Sequence, residues 1–363
     1  MRIDLFKPWI TEAETDAVAE VMRSGWLGMG PKVEEFERLF SGYVETSHAV
    51  ALSSGTAALH LALKVLGIGP GDKVIVPAMT FVSTAHAVCH VGATPIFADV
   101  CADTLCIDWD DAERKMPADG LRAVIGVNFG GRLCDEPPFW MNDIPFIEDC
   151  AHACGTAEAG TRGDLACWSF HAVKNLTTGD GGMLTTYNED WAEHARRLRW
   201  LGIDKSTHDR SAGAYSWDYD VPEIGYKCHM NDIAAAMGIV QLERLSFMNA
   251  VRWRIAHQYT NELNECERIA FINPLKPEEQ QSRHLFQILA NDRDGLMQHL
   301  ADRGIATGVH YRPIHRYRCY GEGASKRPVA ESVFPHLLSL PMHPQLTADD
   351  VSEVTTAIKE FYS

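Results

Sequence analysis

The stretch Trp168 to Gly182, WSFHAVKNLTTGDGG, decides how this chain is read. It continues an apolar, aromatic run, Leu165 to Phe170, of the kind that forms a buried strand. It then carries one lysine, Lys174, and closes in a glycine-rich turn, Gly179 to Gly182. A lysine at such a place is ordinarily a surface residue. One that is drawn partly out of water loses its charged form and becomes nucleophilic. A nucleophilic amine can form a Schiff base with an aldehyde or ketone. The neighbouring segments choose between these two readings.

Ser169 and His171 flank the strand end. Upstream, FIEDCAHA (Phe146 to Ala153) is an apolar strand that ends in acid at Asp149. Such a strand delivers a carboxylate to the carboxyl edge of a sheet, where ligands bind in open α/β folds. A Schiff-base lysine together with a buried carboxylate points to pyridoxal phosphate (PLP), whose pyridinium nitrogen needs an anionic partner. Asp149, Cys150, His152 and Cys154 also raise a metal reading. A structural zinc site needs a second pair at metal spacing, and none is near. No metal is expected, and Cys150 and Cys154 are read as small buried fillers.

Around this centre, apolar strands alternate with helical patterns. His48 to Ser54, Lys73 to Ala78, Thr94 to Val100 and Arg122 to Val127 read as strands, so the fold class is α/β with a mostly parallel sheet. Gly55-Thr56 opens a helix directly after the first strand. That turn either binds an anion on its free N–H groups or is simply capped by Ser54 or Thr56. Thr80-Phe81-Val82 opens another helix, and Phe81 is either a stacking platform or a core residue.

Thr11 and Glu14 form a capping-box pattern before a helix carrying Val18, Val21 and Met22, which Gly25 stops. Trp191, Ala195, Leu198 and Leu201 recur at helical spacing. Asn231 caps a helix from Ile233 to about Leu245, with Ile233, Met237 and Val240 on one side. A domain junction is placed near 245. Residues 1–245 make the large domain with its N-terminal arm, and residues 246–363 a small α/β domain. That small domain has strands at Ala270 to Ile272 and His284 to Leu289, and a final helix carrying Val351, Val354, Ile358 and Phe361. Lys205 to Val221 is polar and reads as a long loop, either a substrate or subunit contact or simply mobile.

The formal charge of −16 excludes nucleic acid and anionic membranes as evident partners. The ten cysteines are scattered, a pattern of reduced, cytoplasmic thiols rather than of a disulfide framework. No apolar run is long enough for a membrane span, and MRIDLFKPWI lacks the pattern of a signal peptide.

SFHAVKNLTTGDGG resembles the lysine segment of the sugar-nucleotide aminotransferases of the DegT family. SSGTAALH (Ser53 to His60), VIVPAMTFVSTAHAV (Val74 to Val88), FIEDCAHACG, GYKCHMNDI (Gly225 to Ile233) and LLSLPMHP (Leu337 to Pro344) resemble its other blocks, in the same order and over nearly the whole chain. The resemblance implies the aspartate-aminotransferase type of PLP fold (fold type I) and a homodimer with shared active sites. Lys174 would hold PLP, and Asp149 would pair with its ring nitrogen. Gly55, Thr56 and Ser169 would bind the phosphate. Phe81 would stack on the ring, and His152 would pack on or beside it, as the family's matching His or Gln does. Lys227, where many members have Asn, would reach from the partner subunit to that phosphate or to the substrate's diphosphate. The loop Gly25 to Val33 would lie near the sugar and His310 to Pro313 at the rim. Asn128-Phe129-Gly130-Gly131 departs from the family's usual His-Leu-Tyr-Gly and is unassigned, with a mild bearing on substrate preference.

The implied reaction moves an amino group from L-glutamate to a keto sugar nucleotide, a 4-keto-6-deoxyhexose on a nucleoside diphosphate. The alternatives are a 3-keto sugar, a PLP enzyme of amino acids only, a PLP-dependent sugar dehydratase, or a non-catalytic sensor on the same fold. The dehydratase relatives carry His in place of the lysine, so Lys174 argues against them. A sensor would be expected to have a decayed pocket.

Overall fold

Seven strands form the central sheet: β1 (His48–Leu52), β2 (Lys73–Pro77), β3 (Thr94–Ala98), β4 (Leu121–Val127), β5 (Phe146–Asp149), β6 (Leu165–Ser169) and β7 (Gly182–Thr186). They are seen in a computed structural model that describes residues 2–204, 218–275, 281–320 and 327–363. Most of the loop expected from Lys205 to Val221 lies outside the described residues. The strand order is β1-β7-β6-β5-β4-β2-β3. All pairings from β6 to β3 are parallel, while β7 runs antiparallel to both its neighbours. With β7 reversed between them, β1 and β6 point the same way. The carboxyl ends of β1, β2, β4, β5 and β6 therefore meet at one edge.

Helices cover both faces, and the period-2 alternation of the strands decides which residue meets which layer. Val50 and Leu52 of β1, with Leu165 and Cys167 of β6, pack under α3 (Gly55–Val65), α4 (Val82–His90) and α6 (Glu189–Arg199). Ala49, Ala51, Ala166 and Trp168 face the other way, against Phe36 and Phe40 of α2 (Pro31–Tyr43) and the first half of α7 (Asp232–Leu263). Trp168 is fully buried there, with its ring 5.3 Å from that of Phe40. The short α5 (Trp109–Arg114) leads into β4.

The expected helix starts are in place. The Thr11 N–H donates to Glu14 before α1 (Glu12–Ser24), and Gly25 ends that helix at φ 76°. Asn231 Oδ1 accepts from the Ala234 N–H. Two helical details differ from expectation: Met22 is exposed, and α6 ends at Arg199, so Leu201 lies beyond it at φ 62° and is exposed.

The helix expected to end near Leu245 instead runs for 32 residues to Leu263. No Gly or Pro interrupts the chain after Leu245 to stop it. Its buried stripe is Ala235, Ala236, Ile239 and Leu242, whereas Ile233, Met237 and Val240 are only half-buried. Residue 245 thus falls inside α7. The second half of that helix, Val251 to Leu263, packs on a separate three-stranded antiparallel sheet of β8 (Ile269–Phe271), β9 (Phe286–Ala290) and β10 (Leu337–Leu340). α8 (Arg293–Asp302) and the last helix, α10 (Ala348–Tyr362), complete this unit, and α9 (Pro328–Val333) lies beside the large sheet. The start of the chain joins the second unit: Ile3 exchanges backbone hydrogen bonds with Gly304 and Ala306, both 2.9 Å.

Candidate active site

The strand ends at the shared edge surround a cavity of about 340 Å³. Asp149 closes β5 and is 5% exposed at its back. Its Oδ2 accepts from the Thr84 hydroxyl (2.8 Å) and its Oδ1 from the Ala151 N–H (3.2 Å). Thr84 can donate because it in turn accepts from Thr80, 2.7 Å away. Burial raises the Asp149 pKa, while these two hydrogen bonds and the nearby Lys174 charge act in the opposite direction.

Lys174 stands in the connection between β6 and β7 and lines the same cavity. Burial pushes its amine down to about 8, with the Asp149 carboxylate partly opposing the shift. Its Nζ has no hydrogen-bond or ion-pair partner among the described residues, so the amine is open to a ligand. The next residue holds the loop. Asn175 donates to Asn249 Oδ1 (2.8 Å) and to the Ser282 carbonyl (2.7 Å), and accepts from His284 Nδ1 (3.0 Å). Lys174 is thereby fixed to α7 and to the segment leading into β9.

The other end of the cavity is the start of α3. The Gly55 and Thr56 N–H groups lie in its first turn, where no helical carbonyl reaches them. Ser54 caps the helix through the Ala57 N–H, so capping and an anion site coexist. A side-chain carbon on Gly55 would sit 2.9 Å from Ser169 Cβ, and one on Gly182 would run into the Ser54 carbonyl. Glycine at both positions lets the turn lie flat on β6 and β7, with Ser169 beside it. The Thr56 hydroxyl pairs with Ser83 at 2.7 Å.

Phe81 stands at the cavity mouth, 55% exposed, with its ring 5.8 Å from that of Tyr311. His152 is buried in the opposite wall, its ring 4.5 Å from that of His284. Burial holds both imidazoles well below their usual range, so both are neutral. Lys227 does not line the cavity of its own chain. Its Nζ lies 3.4 Å over the Trp200 ring, and burial lowers its pKa. The loop Gly25 to Val33 is likewise away from that cavity. Asp232 accepts from the Gly30, Lys32 and Val33 N–H groups and holds it to the start of α7.

Residue-by-residue reading from the sequence did not single out Thr80, Ser83, Thr84, Asn175, His284 and Tyr311. One signal for them was available: three hydroxyls, Thr80, Ser83 and Thr84, cluster around a helix start beside a strand end. Asn175, His284 and Tyr311 had no such local mark.

The donors and acceptors fit PLP. The unpartnered amine would suit an aldehyde, the buried carboxylate a ring nitrogen, and the free N–H groups at a helix start a phosphate.

Residues 8–359 match the DegT/DnrJ/EryC1/StrS aminotransferase family, and the chain belongs to that family. It is 38% identical over 373 residues to the spore coat polysaccharide biosynthesis protein SpsC of Bacillus subtilis, covering 97% of this chain and 95% of that protein. Spr1654 of Streptococcus pneumoniae, solved in a PMP form, superposes with a TM-score of 0.92 at 34% identity over 99% of both chains. The sugar aminotransferase CalS13 of Micromonospora echinospora does so with a TM-score of 0.90 at 30% identity, again over 99% of both. The fold is that of the PLP-dependent sugar aminotransferases, the protein is an aminotransferase, and PLP is its cofactor. Among the described residues, no helix is long and apolar enough to cross a membrane.

Proposed function

We propose that this aminotransferase moves an amino group from L-glutamate to a keto sugar carried on a nucleoside diphosphate, a 4-keto-6-deoxyhexose, and releases the amino sugar nucleotide. The observation that carries the reading is the unpartnered Lys174 amine beside the buried Asp149 carboxylate, with free N–H groups at the start of α3 across the same cavity. The names of SpsC and CalS13, a polysaccharide biosynthesis protein and a sugar aminotransferase, support a sugar as acceptor.

Bound PLP supplies the electron sink for the carbanion left when the donor loses its α-proton. Lys174 Nζ, neutral above a pH of about 8, is the base that takes that proton. Asp149 keeps a negative charge fixed at the back of the cavity. Gly55, Thr56 and Ser169 bind the phosphate, while Phe81 and His152 hold the flat ring between them. Lys227 adds a cation from the partner subunit of a homodimer. A dimer is supported by the half-buried Ile233, Met237 and Val240, by Ile224 at 93% exposed, and by the distance of Lys227 from its own cavity. In the same proposal residues 246–363 close over the site that residues 1–245 build. Ten free cysteines support a reducing, cytoplasmic location.

The test is the visible spectrum of the purified protein before and after L-glutamate. The yellow band of lysine-bound PLP should fade with glutamate and return with the keto sugar nucleotide. A yellow protein indifferent to glutamate, or restored only by a 3-keto sugar, would overturn the donor or the acceptor assignment.

A further inference from the structure

We infer that Tyr311 is the hydrogen-bond donor that the site directs at an oxygen of its ligand, and that Gly130 sets this direction through His152. The Gly130 N–H can only donate, and it points at His152 Nδ1 from 3.2 Å. That nitrogen must therefore carry the lone pair, and a neutral imidazole then has its one hydrogen on Nε2. Nε2 lies 3.1 Å from the Tyr311 hydroxyl, which must accept it. The phenol's own hydrogen remains, and no described residue accepts it. Tyr311 lines the cavity with Lys174, Asp149 and Phe81, so that hydrogen is available to whatever the cavity holds.

The surroundings keep the relay in one state. Burial holds His152 neutral, so it has no second hydrogen to reverse the order. Burial also raises the Tyr311 pKa, so the phenol keeps its proton and acts as a donor. The edge of Phe129 braces both rings, at 5.7 Å from His152 and 6.0 Å from Tyr311. Phe129 and Gly130, in the stretch that the sequence left unassigned, thus act through His152 as positioning residues. The same count of hydrogens tells substitutes for His152 apart. A glutamine can accept from one side and donate to the other, whereas an aliphatic residue can do neither.

The inference rests on the PLP reading. The oxygen that receives the hydrogen is either the phenolic oxygen of the cofactor or the carbonyl oxygen of the keto acceptor. Tyr311→Phe in the holoenzyme separates the two, because it keeps the ring packing and removes the hydroxyl, and with it both the bond from His152 Nε2 and the hydrogen offered to the ligand. If the cofactor oxygen is the partner, the absorbance band of lysine-bound PLP, or its pH midpoint, shifts without any substrate. If the acceptor is the partner, the spectrum stays and the acceptor half-reaction slows by about three- to tenfold in single turnovers, while the glutamate half-reaction is unchanged. In either case the effect of Tyr311→Phe should persist in a His152→Gln background and vanish in His152→Leu. A Tyr311→Phe protein with wild-type spectrum, pH midpoint and both half-reactions would overturn the inference. A wild-type protein that binds no PLP would overturn the cofactor reading instead.

Discussion

The two walls of the cavity differ in how they are made. The wall on the large sheet consists of strand ends and helix starts: Asp149 closes β5, Ser169 closes β6, and Gly55 and Thr56 open α3. The facing wall is made by His152 and Tyr311, backed by Gly130 and His284, and its bonds span 22 to 159 positions of sequence. The first wall follows from sheet topology, since parallel strands bring their carboxyl ends to one edge whatever else the chain does. The second exists only once the β9 and β10 unit has packed down. The first should therefore dominate the chemistry, and the second should tune it and couple it to stability.

That ordering can be broken. Lys174→Ala should have the largest effect, a fall in turnover of more than ~10³-fold as the proton-moving base is lost. Steady-state rates at saturating PLP check this, and a rate within tenfold of wild type would refute it. Asp149→Asn should cost about 10²- to 10⁴-fold and also change the lysine. Below a pH of about 8 the Lys174 amine is charged and unreactive; above it the amine is neutral. Capture of PLP by the apoprotein should therefore rise with pH through about 8 and then level off. The Asp149 charge holds that midpoint up, so Asp149→Asn should move it to lower pH. Stopped-flow capture rates from pH 6 to 10 test both signs.

Asn175→Ala touches both walls. It should lower stability by ~1–3 kcal/mol in urea unfolding, because it leaves polar groups of Asn249, Ser282 and His284 without this partner. Its effect on turnover should be smaller than that of Asp149→Asn. The smallest effect should come from Lys227→Ala: weaker binding of PLP by about tenfold, as expected for one charge-assisted hydrogen bond. Equilibrium dialysis would measure it. In mixed dimers of the Lys174→Ala and Lys227→Ala proteins, the one site that keeps Lys174 should bind PLP with wild-type affinity if Lys227 acts across subunits.

The positions of the sheet wall were marked locally in the sequence, and the resemblance chose their roles. Asp149 is an acid ending an apolar strand, Gly55-Thr56 follows a strand and starts a helix, and Lys174 is a lone amine before a glycine turn. Of the facing wall, the resemblance named His152 and placed His310 to Pro313 at the rim, while no local pattern marked the role of Tyr311 or His284. Tyr311 sits in a polar, aromatic run and His284 was read as the start of a strand, and only tertiary packing brings them to His152. The length of α7 was missed for a related reason. Nothing local marks Leu245 as an end, so the helix continues until it has spanned both hydrophobic clusters. Spacing put Ile233, Met237 and Val240 on one side of that helix, but it shows only that a stripe exists and not what it packs against.

The most direct test of the central claim is to incubate the protein with PLP, reduce it with borohydride, and locate the added mass by peptide mass spectrometry. The account predicts one modified site, Lys174, with labelling that rises with pH through about 8. Labelling spread over surface lysines, or equal labelling of the Lys174→Ala protein, would contradict it.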